Sequence, residues 1–244
     1  MVFGLFSKDR AIKRAMKKAQ NKLAQSQDRW PALERLRDEG SDESLYVLFK
    51  RFSFMSSKMV EDQQEKEWTV ESLIAKGDTV LPALRRYLAD CESASYPLRV
   101  LDGVASVPQA REVIDEILAK EKAGYSRDPK KKVDILSWLS EYRKIPDDEM
   151  VERVVPYLQD FDENVRFAAV EAISLRPTER AAEPLVAALV NPEEESGRLK
   201  RRIADVLSDA EMELHGRKSE VAPLLETELT DFRMHHDKLV RKTK

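Results

Sequence analysis

Residues 147–176, DDEMVERVVPYLQDFDENVRFAAVEAISLR, decide the fold. Met150, Val151, Val154, Val155 and Leu158 recur at i, i+1, i+4, i+5 and i+8, one face of an α-helix. Asp162 then offers a side-chain acceptor to the unpaired N–H groups that open a second helix. Along that helix Val165, Ala169, Ala172 and Ile173 form the apolar stripe, and Pro177, which has no N–H to give, ends it. The stretch reads as one helical hairpin.

Working outward, the unit recurs, and a Pro followed closely by Leu marks each first helix: Pro82 and Leu84, Pro156 and Leu158, Pro184 and Leu185, Pro223 and Leu224. Pro31 and Leu33 repeat the letters, but Gly40 closes that segment so soon that it reads as a second helix. Boundaries near Ser41, Asp78, Pro108, Asp147, Thr178 and Lys218 lie between 30 and 40 residues apart. Paired helices at such a period predict an all-α chain, an α-solenoid in which each hairpin buries its face only against its neighbours. Unequal intervals argue against ankyrin or tetratricopeptide arrays. Composition agrees: 7 Gly in 244 residues, 7% aromatic and 36% charged disfavour a sandwich or barrel.

The residues of this unit resemble the HEAT-repeat superfamily, including the short repeats of phycobilisome-lyase type. Pro156, Asp162, Val165-Arg166 and the small residues Ala168, Ala169 and Ala172 carry the resemblance. Leu98-Arg99 and Leu199-Lys200 occupy the Val-Arg register without the alanines. Asp128-Pro129 supplies a helix start in the hairpin of residues 108–143, which lacks the first-helix Pro-Leu. The resemblance covers about residues 28–232. It implies one domain over residues 28–244, a right-handed solenoid of about five to six stacked HEAT-like hairpins without strands, with 147–176 as its best-defined repeat. It also implies that second helices line the concave side. Arg99 and Arg166 would join a ladder with turn aspartates of adjacent repeats, for which Asp162, Asp160 and Asp90 are placed.

No Gly-rich phosphate loop, GxSxG, HExxH or DxDxDG pattern occurs. His235 and His236, read as helical, would project about 100° apart and could not share one metal, and His215 stands alone. Cys91, the only cysteine, rules out an internal disulfide and reads as a buried or half-buried thiol. No catalytic, cofactor or metal residues are therefore assigned, and no small-molecule substrate is evident. With 42 Lys+Arg against 45 Asp+Glu, the net charge of −3 makes a general nucleic-acid binder improbable. No signal peptide or membrane span is visible, which points to the cytoplasm.

Charge is nonetheless grouped. The run holding Glu61, Asp62, Glu65, Glu67 and Glu71 is net −4 over residues 61–71. Cations gather at Lys130, Lys131 and Lys132 and at Arg198, Lys200, Arg201 and Arg202, at the starts of predicted second helices where they oppose the helix dipole. Glu193, Glu194 and Glu195 stand ready to offset the latter group. The two cationic groups, Lys130–Lys132 and Arg198, Lys200, Arg201 and Arg202, together with Glu61 and Glu65, are the candidate partner-binding set. They suggest a non-enzymatic scaffold or adaptor for a protein partner. The alternatives are a HEAT-like enzyme, either bilin lyase-like or an alkylpurine DNA glycosylase using Trp138 and Asp134, and a peripheral membrane adaptor.

The membrane alternative rests on residues 1–27, a basic amphipathic helix. Leu5, Ile12, Met16, Ala19 and Leu23 share one stripe, and residues 8–22 carry seven cations against one acid. Ser7 reads as its N-cap, and the narrow, Ala-containing stripe predicts a helix that caps the first hairpin. Membrane contact through residues 1–25, with Phe3 and Phe6 dipping below the headgroups, is the competing reading.

Overall fold

The computed structural model describes residues 3–242, with side chains from residue 9 onward. Among the described residues lie thirteen α-helices, short 3-10 turns and one β-hairpin, in two compact units, Met1–Lys120 and Glu121–Lys244. The division falls after Lys120, not near residue 27 where the charge composition changes. The paired-helix architecture read from the sequence is the architecture of the described residues, apart from one short β-hairpin.

The first unit holds α1 (Phe3–Ala19), α2 (Ser26–Glu39), α3 (Asp42–Phe49), α4 (Met59–Ile74), α5 (Leu81–Asp90), α6 (Ser95–Val104) and α7 (Val107–Lys120). Helices α1 and α2, α3 and α4, and α5 and α6 pack as successive hairpins, and α4 lies between α2 and α6 in a row of second helices. Gly40 closes α2 in the left-handed conformation (φ 67°), donating to the Leu36 carbonyl, and Ser41 starts α3 by accepting the Ser44 N–H. Where α4 meets α6, a Cβ at Gly103 would stand 2.7 Å from Ile74 Cδ1. Any larger residue there would oblige the Ile74 side chain to move.

Helix α1 begins at Phe3, so Ser7 is not its cap: no proline upstream interrupts the backbone bonds. Its stripe lies against α2 and α3, with Ala15 and Ala19 buried. Leu23, expected on that stripe, falls beyond the helix end and is 86% exposed. The side chains of Phe3, Leu5 and Phe6 lie outside the described residues.

The second unit holds α8 (Lys130–Glu141), α9 (Asp147–Val154), α10 (Glu163–Leu175), α11 (Ala182–Leu189), α12 (Gly197–Asp209) and α13 (Lys218–Thr227). The first helix of the central repeat is shorter than its apolar pattern implies. It stops at Val154, and a 3-10 turn over Val155–Gln159 follows, because Pro156 cannot donate the next helical hydrogen bond. Met150, Val151, Val154 and Leu158 stay buried. In α10 the pattern holds in full: Val165, Ala169, Ala172 and Ile173 are buried, and Asp162 accepts the N–H groups of Asn164 and Val165. Arg176, just past α10, is buried and donates to the carbonyls of Leu139, Tyr142 and Ile145. It thereby satisfies the acceptors at and beyond the end of α8.

Among the described residues a pair of strands follows α13, which corrects the strandless expectation. Strands β1 (Phe232–His235) and β2 (Lys238–Arg241) pair antiparallel, with Phe232 opposite Arg241. Phe232 and Leu239 are buried, and the hairpin packs on α12 and α13. Phe232 and Met234 alternate with Arg233 and His235, and Met234 stands opposite Leu239 in the pairing. His236, at φ 53°, sits in the two-residue turn, a conformation a helix does not use. His235 and His236 are therefore at a strand end and turn, with ring centroids 4.4 Å apart.

Candidate functional site

In the second unit α10 lies between α8 and α12, and a regular set of ion pairs ties each of these second helices to the turn ahead of it. Lys132 in α8 donates to Asp160 (2.7 Å), Arg166 in α10 to Glu194 (2.8 Å) and Lys200 in α12 to Glu228 (2.9 Å). Each partner stands 28 residues ahead of its cation. The cations themselves recur every 34 residues, as do the acceptors at the helix starts, Asp128, Asp162 and Ser196. Second helices thus keep a constant register. The Pro-Leu landmark suggested an uneven one because it marks first helices, whose lengths and 3-10 breaks differ.

This arrangement corrects the expected ladder. Arg166 does bridge repeats, but to a turn glutamate, and it also donates to the carbonyls of Asp160 and Phe161. Asp162 caps α10 and takes no arginine. Arg99 reaches backward instead, from α6 to Glu67 of α4 at 2.7 Å, and not to Asp90.

The proposed basic group at Lys130–Lys132 is also revised. Lys131 and Lys132 are buried, paired with Glu121 (2.9 Å) and Asp160, so neither can meet a partner. Lys130 is exposed, 3.7 Å from Asp134. Trp138 is half-buried and stacks on Tyr142 with centroids 4.4 Å apart.

The acidic run loses its patch in the same way. Glu65 is buried between Arg29 and Arg51, both also buried, at 2.7 and 2.6 Å. Asp62 joins them, held by Arg51 (2.6 Å) and Lys66 (2.7 Å). Burial works to raise both carboxyl groups. For Asp62 the hydrogen bonds from Lys66 and Arg51 outweigh burial and bring it down to about 2. For Glu65 those from Arg29, Ser26 and Arg51 likewise hold it below its usual range. Phe54 lies under both guanidinium groups. On the surface Glu61 pairs with Lys58 (2.9 Å) and Glu67 with Arg99, which leaves Glu71 as the remaining exposed acid of the run. The periodicity of α4 predicts burial of positions 62, 65, 66, 69 and 73. What it lacked was the partner, since Arg29 is 36 residues away from Glu65.

The face of α8, α10 and α12 carries an open groove of about 360 Å³, lined by Val133, Ser137, Phe167, Ala168, Leu175 and Arg198 among others. Leu175 is 55% exposed and Phe167 half-buried. The guanidinium of Arg198 lies 3.9 Å from the centre of the Phe167 ring. Its neighbours are engaged: Lys200 with Glu228, Arg201 with Asp231, and Arg202 with Glu171 (2.5 Å). The glutamates expected to offset this group do not, since Glu194 serves Arg166. Among the described residues no acid lies within ion-pair distance of Arg198. Phe167 and Leu175 were missed because the helical pattern assigns such residues to the core. Only the 34-residue register places Phe167 beside ladder position 166, on the side away from Val165 and Ala169.

A family model described as HEAT repeats matches residues 116–208, the stretch that carries most of this ladder and groove. None of the curated proteins matches the chain. Among the described residues no helix is long and apolar enough to cross a membrane.

Proposed function

With HEAT repeats matched over residues 116–208 as the premise, we propose that this protein is a non-enzymatic, cytoplasmic scaffold that holds a protein segment on the α8–α10–α12 face. The observation that carries the reading is Arg198. A guanidinium stacked on an aromatic ring keeps its planar donors available for a carboxylate, with less side-chain freedom to lose on binding. Beside it Leu175, Val133 and Ala168 offer apolar contact in the same groove. The segment that fits presents one acidic side chain flanked by apolar ones. Stacked repeats supply such extended surfaces as a matter of architecture.

The test compares pull-downs by the full chain and by Arg198→Glu. We expect one protein recovered in stoichiometric amount by the native chain and lost with the variant. The melting temperature should stay within about a degree or two, because an exposed charge contributes little stability. Equal recovery by both chains would move the interface elsewhere. Co-purified nucleic acid in place of a protein would favour the glycosylase-like alternative.

A further inference from the structure

Most arginines of this molecule outside α1 have an acidic partner. Arg85, Arg86, Arg153, Arg166, Arg180, Arg201 and Arg202 each reach a carboxylate. Helix α1 and the turn after it are different. Arg10, Lys13, Arg14, Lys17, Lys18 and Lys22 are all exposed, and of these only Lys18 meets an acid among the described residues, Asp28 at 3.4 Å. Positions 10, 13, 14 and 17 follow the i, i+3, i+4, i+7 spacing, so four of the cations form one stripe. The opposite side of α1 is already occupied, with Ala15 and Ala19 buried against neighbouring helices. The charged stripe is therefore a fixed outer surface of a folded unit, and holding like charges together there costs energy that an anionic ligand would return.

We infer that α1 docks the protein on an anionic lipid surface through Arg10, Lys13, Arg14, Lys17 and Lys22 while its apolar side stays packed on α2 and α3. Lipid fits better than nucleic acid on two counts. Leu23, beside Lys22 in the turn after α1, is 86% exposed, an apolar side chain next to a cation that acyl chains accept and phosphodiester backbones do not. Residues 9–23 contain no aromatic side chain on which a base could stack. Straight rows of charge on a convex helix also suit a plane. This docking is electrostatic and leaves the helix in place, unlike the insertion expected of a free amphipathic helix.

Co-sedimentation of the full chain with phosphatidylcholine vesicles, with and without phosphatidylserine, tests the inference. We expect binding only when phosphatidylserine is present, and its decline as salt is raised. The double variant Lys13→Glu/Lys17→Glu should weaken that binding by on the order of a thousandfold, taking roughly one kcal/mol per basic residue removed and as much again for each reversal. Its circular dichroism and melting should match the native chain. Should it fail to fold, the salt dependence of the native chain still decides. Absence of phosphatidylserine-dependent binding, binding that ignores salt, or equal binding by a folded double variant overturns the inference. Capture of a single-stranded oligonucleotide without any vesicle binding overturns it in favour of nucleic acid.

Discussion

The two units solve one problem, how to join consecutive helical hairpins through polar groups, in different ways. Between residues 121 and 244 the solution is distributed: one cation per second helix and one acid in the turn ahead, at a spacing of 28 residues. Between residues 1 and 120 it is concentrated. Arg29 from α2, Arg51 from the turn after α3 and two acids of α4 meet in one buried cluster, while the surface pair of Arg99 and Glu67 links α4 to α6. A distributed ladder repeats in sequence and is open to detection as a repeat, and the family match falls largely on that unit. A concentrated cluster, with exposed pairs such as Arg85–Glu112, Arg86–Glu43 and Arg99–Glu67 at unequal spacings around it, leaves no period behind. The comparison teaches that likeness of helical packing does not require likeness of the polar positions that fasten it.

The largest effect should come from the concentrated solution. Replacing Glu65 with Gln leaves two buried guanidinium groups facing a neutral amide. Breaking a buried pair by removing one charge costs roughly 3–5 kcal/mol, because the remaining charge has no water to turn to. Denaturant unfolding of Glu65→Gln should show a loss of this size. A loss below about 1 kcal/mol, typical of an exposed pair, would mean that the backbone carbonyls of Asn21, Ala24 and Phe54 already hold both arginines without it.

Acid should act on the same cluster next. Asp62 has its folded value lowered from 3.8 to about 2, so its contribution is fully present above the ordinary carboxylate value. It is lost progressively as pH falls below that value and is gone beneath the folded one. The shift corresponds to roughly 2 kcal/mol. Hydrogen exchange of α4 amides, followed from pH 5 down to pH 2, should show protection falling across that window. Protection that stays level would mean the Lys66 and Arg51 bonds survive protonation, and the cluster would then be fastened by shape more than by charge.

How legible each unit was from sequence follows from the same contrast. The hairpin at 147–176 could be read almost whole, since the Asp162 cap and the Val165–Ile173 stripe are local patterns separated by one turn of helix. Helix starts at Asp42, Val107, Asp147 and Lys218 fell beside the expected boundaries for the same reason. Charge was harder. Lys131, Lys132 and Glu65 look like surface residues to any count of composition, and only tertiary partners tens of residues away make their burial affordable. The terminal strands were missed because a run of four residues is too short to separate period two from period 3.6 without its pairing partner. At the groove, Arg198 was visible as a cation, but Phe167 beneath it is 31 residues earlier and carries no local mark of exposure.

The smallest effect, and the sharpest use of the comparison, lies in two arginines that share a sequence register. Leu98-Arg99 and Val165-Arg166 read alike, yet the side chains do different things. Arg166 reaches forward to Glu194, a buried acid, and also holds the carbonyls of Asp160 and Phe161. Arg166→Ala strands that acid and those acceptors, at a cost of roughly 1–3 kcal/mol. Arg99 reaches back to Glu67, with both side chains more than a third exposed, so water replaces whichever partner is lost. Arg99→Ala should cost roughly 0.2–1 kcal/mol, the range of exposed pairs. Salt should separate the two as well, since screening weakens the exposed pair and hardly touches the one that is half out of water. Paired thermal melts of the two variants at low and high salt make the measurement. Equal losses would mean that Arg99 belongs to a ladder after all, and the division between a distributed and a concentrated unit would have to be redrawn.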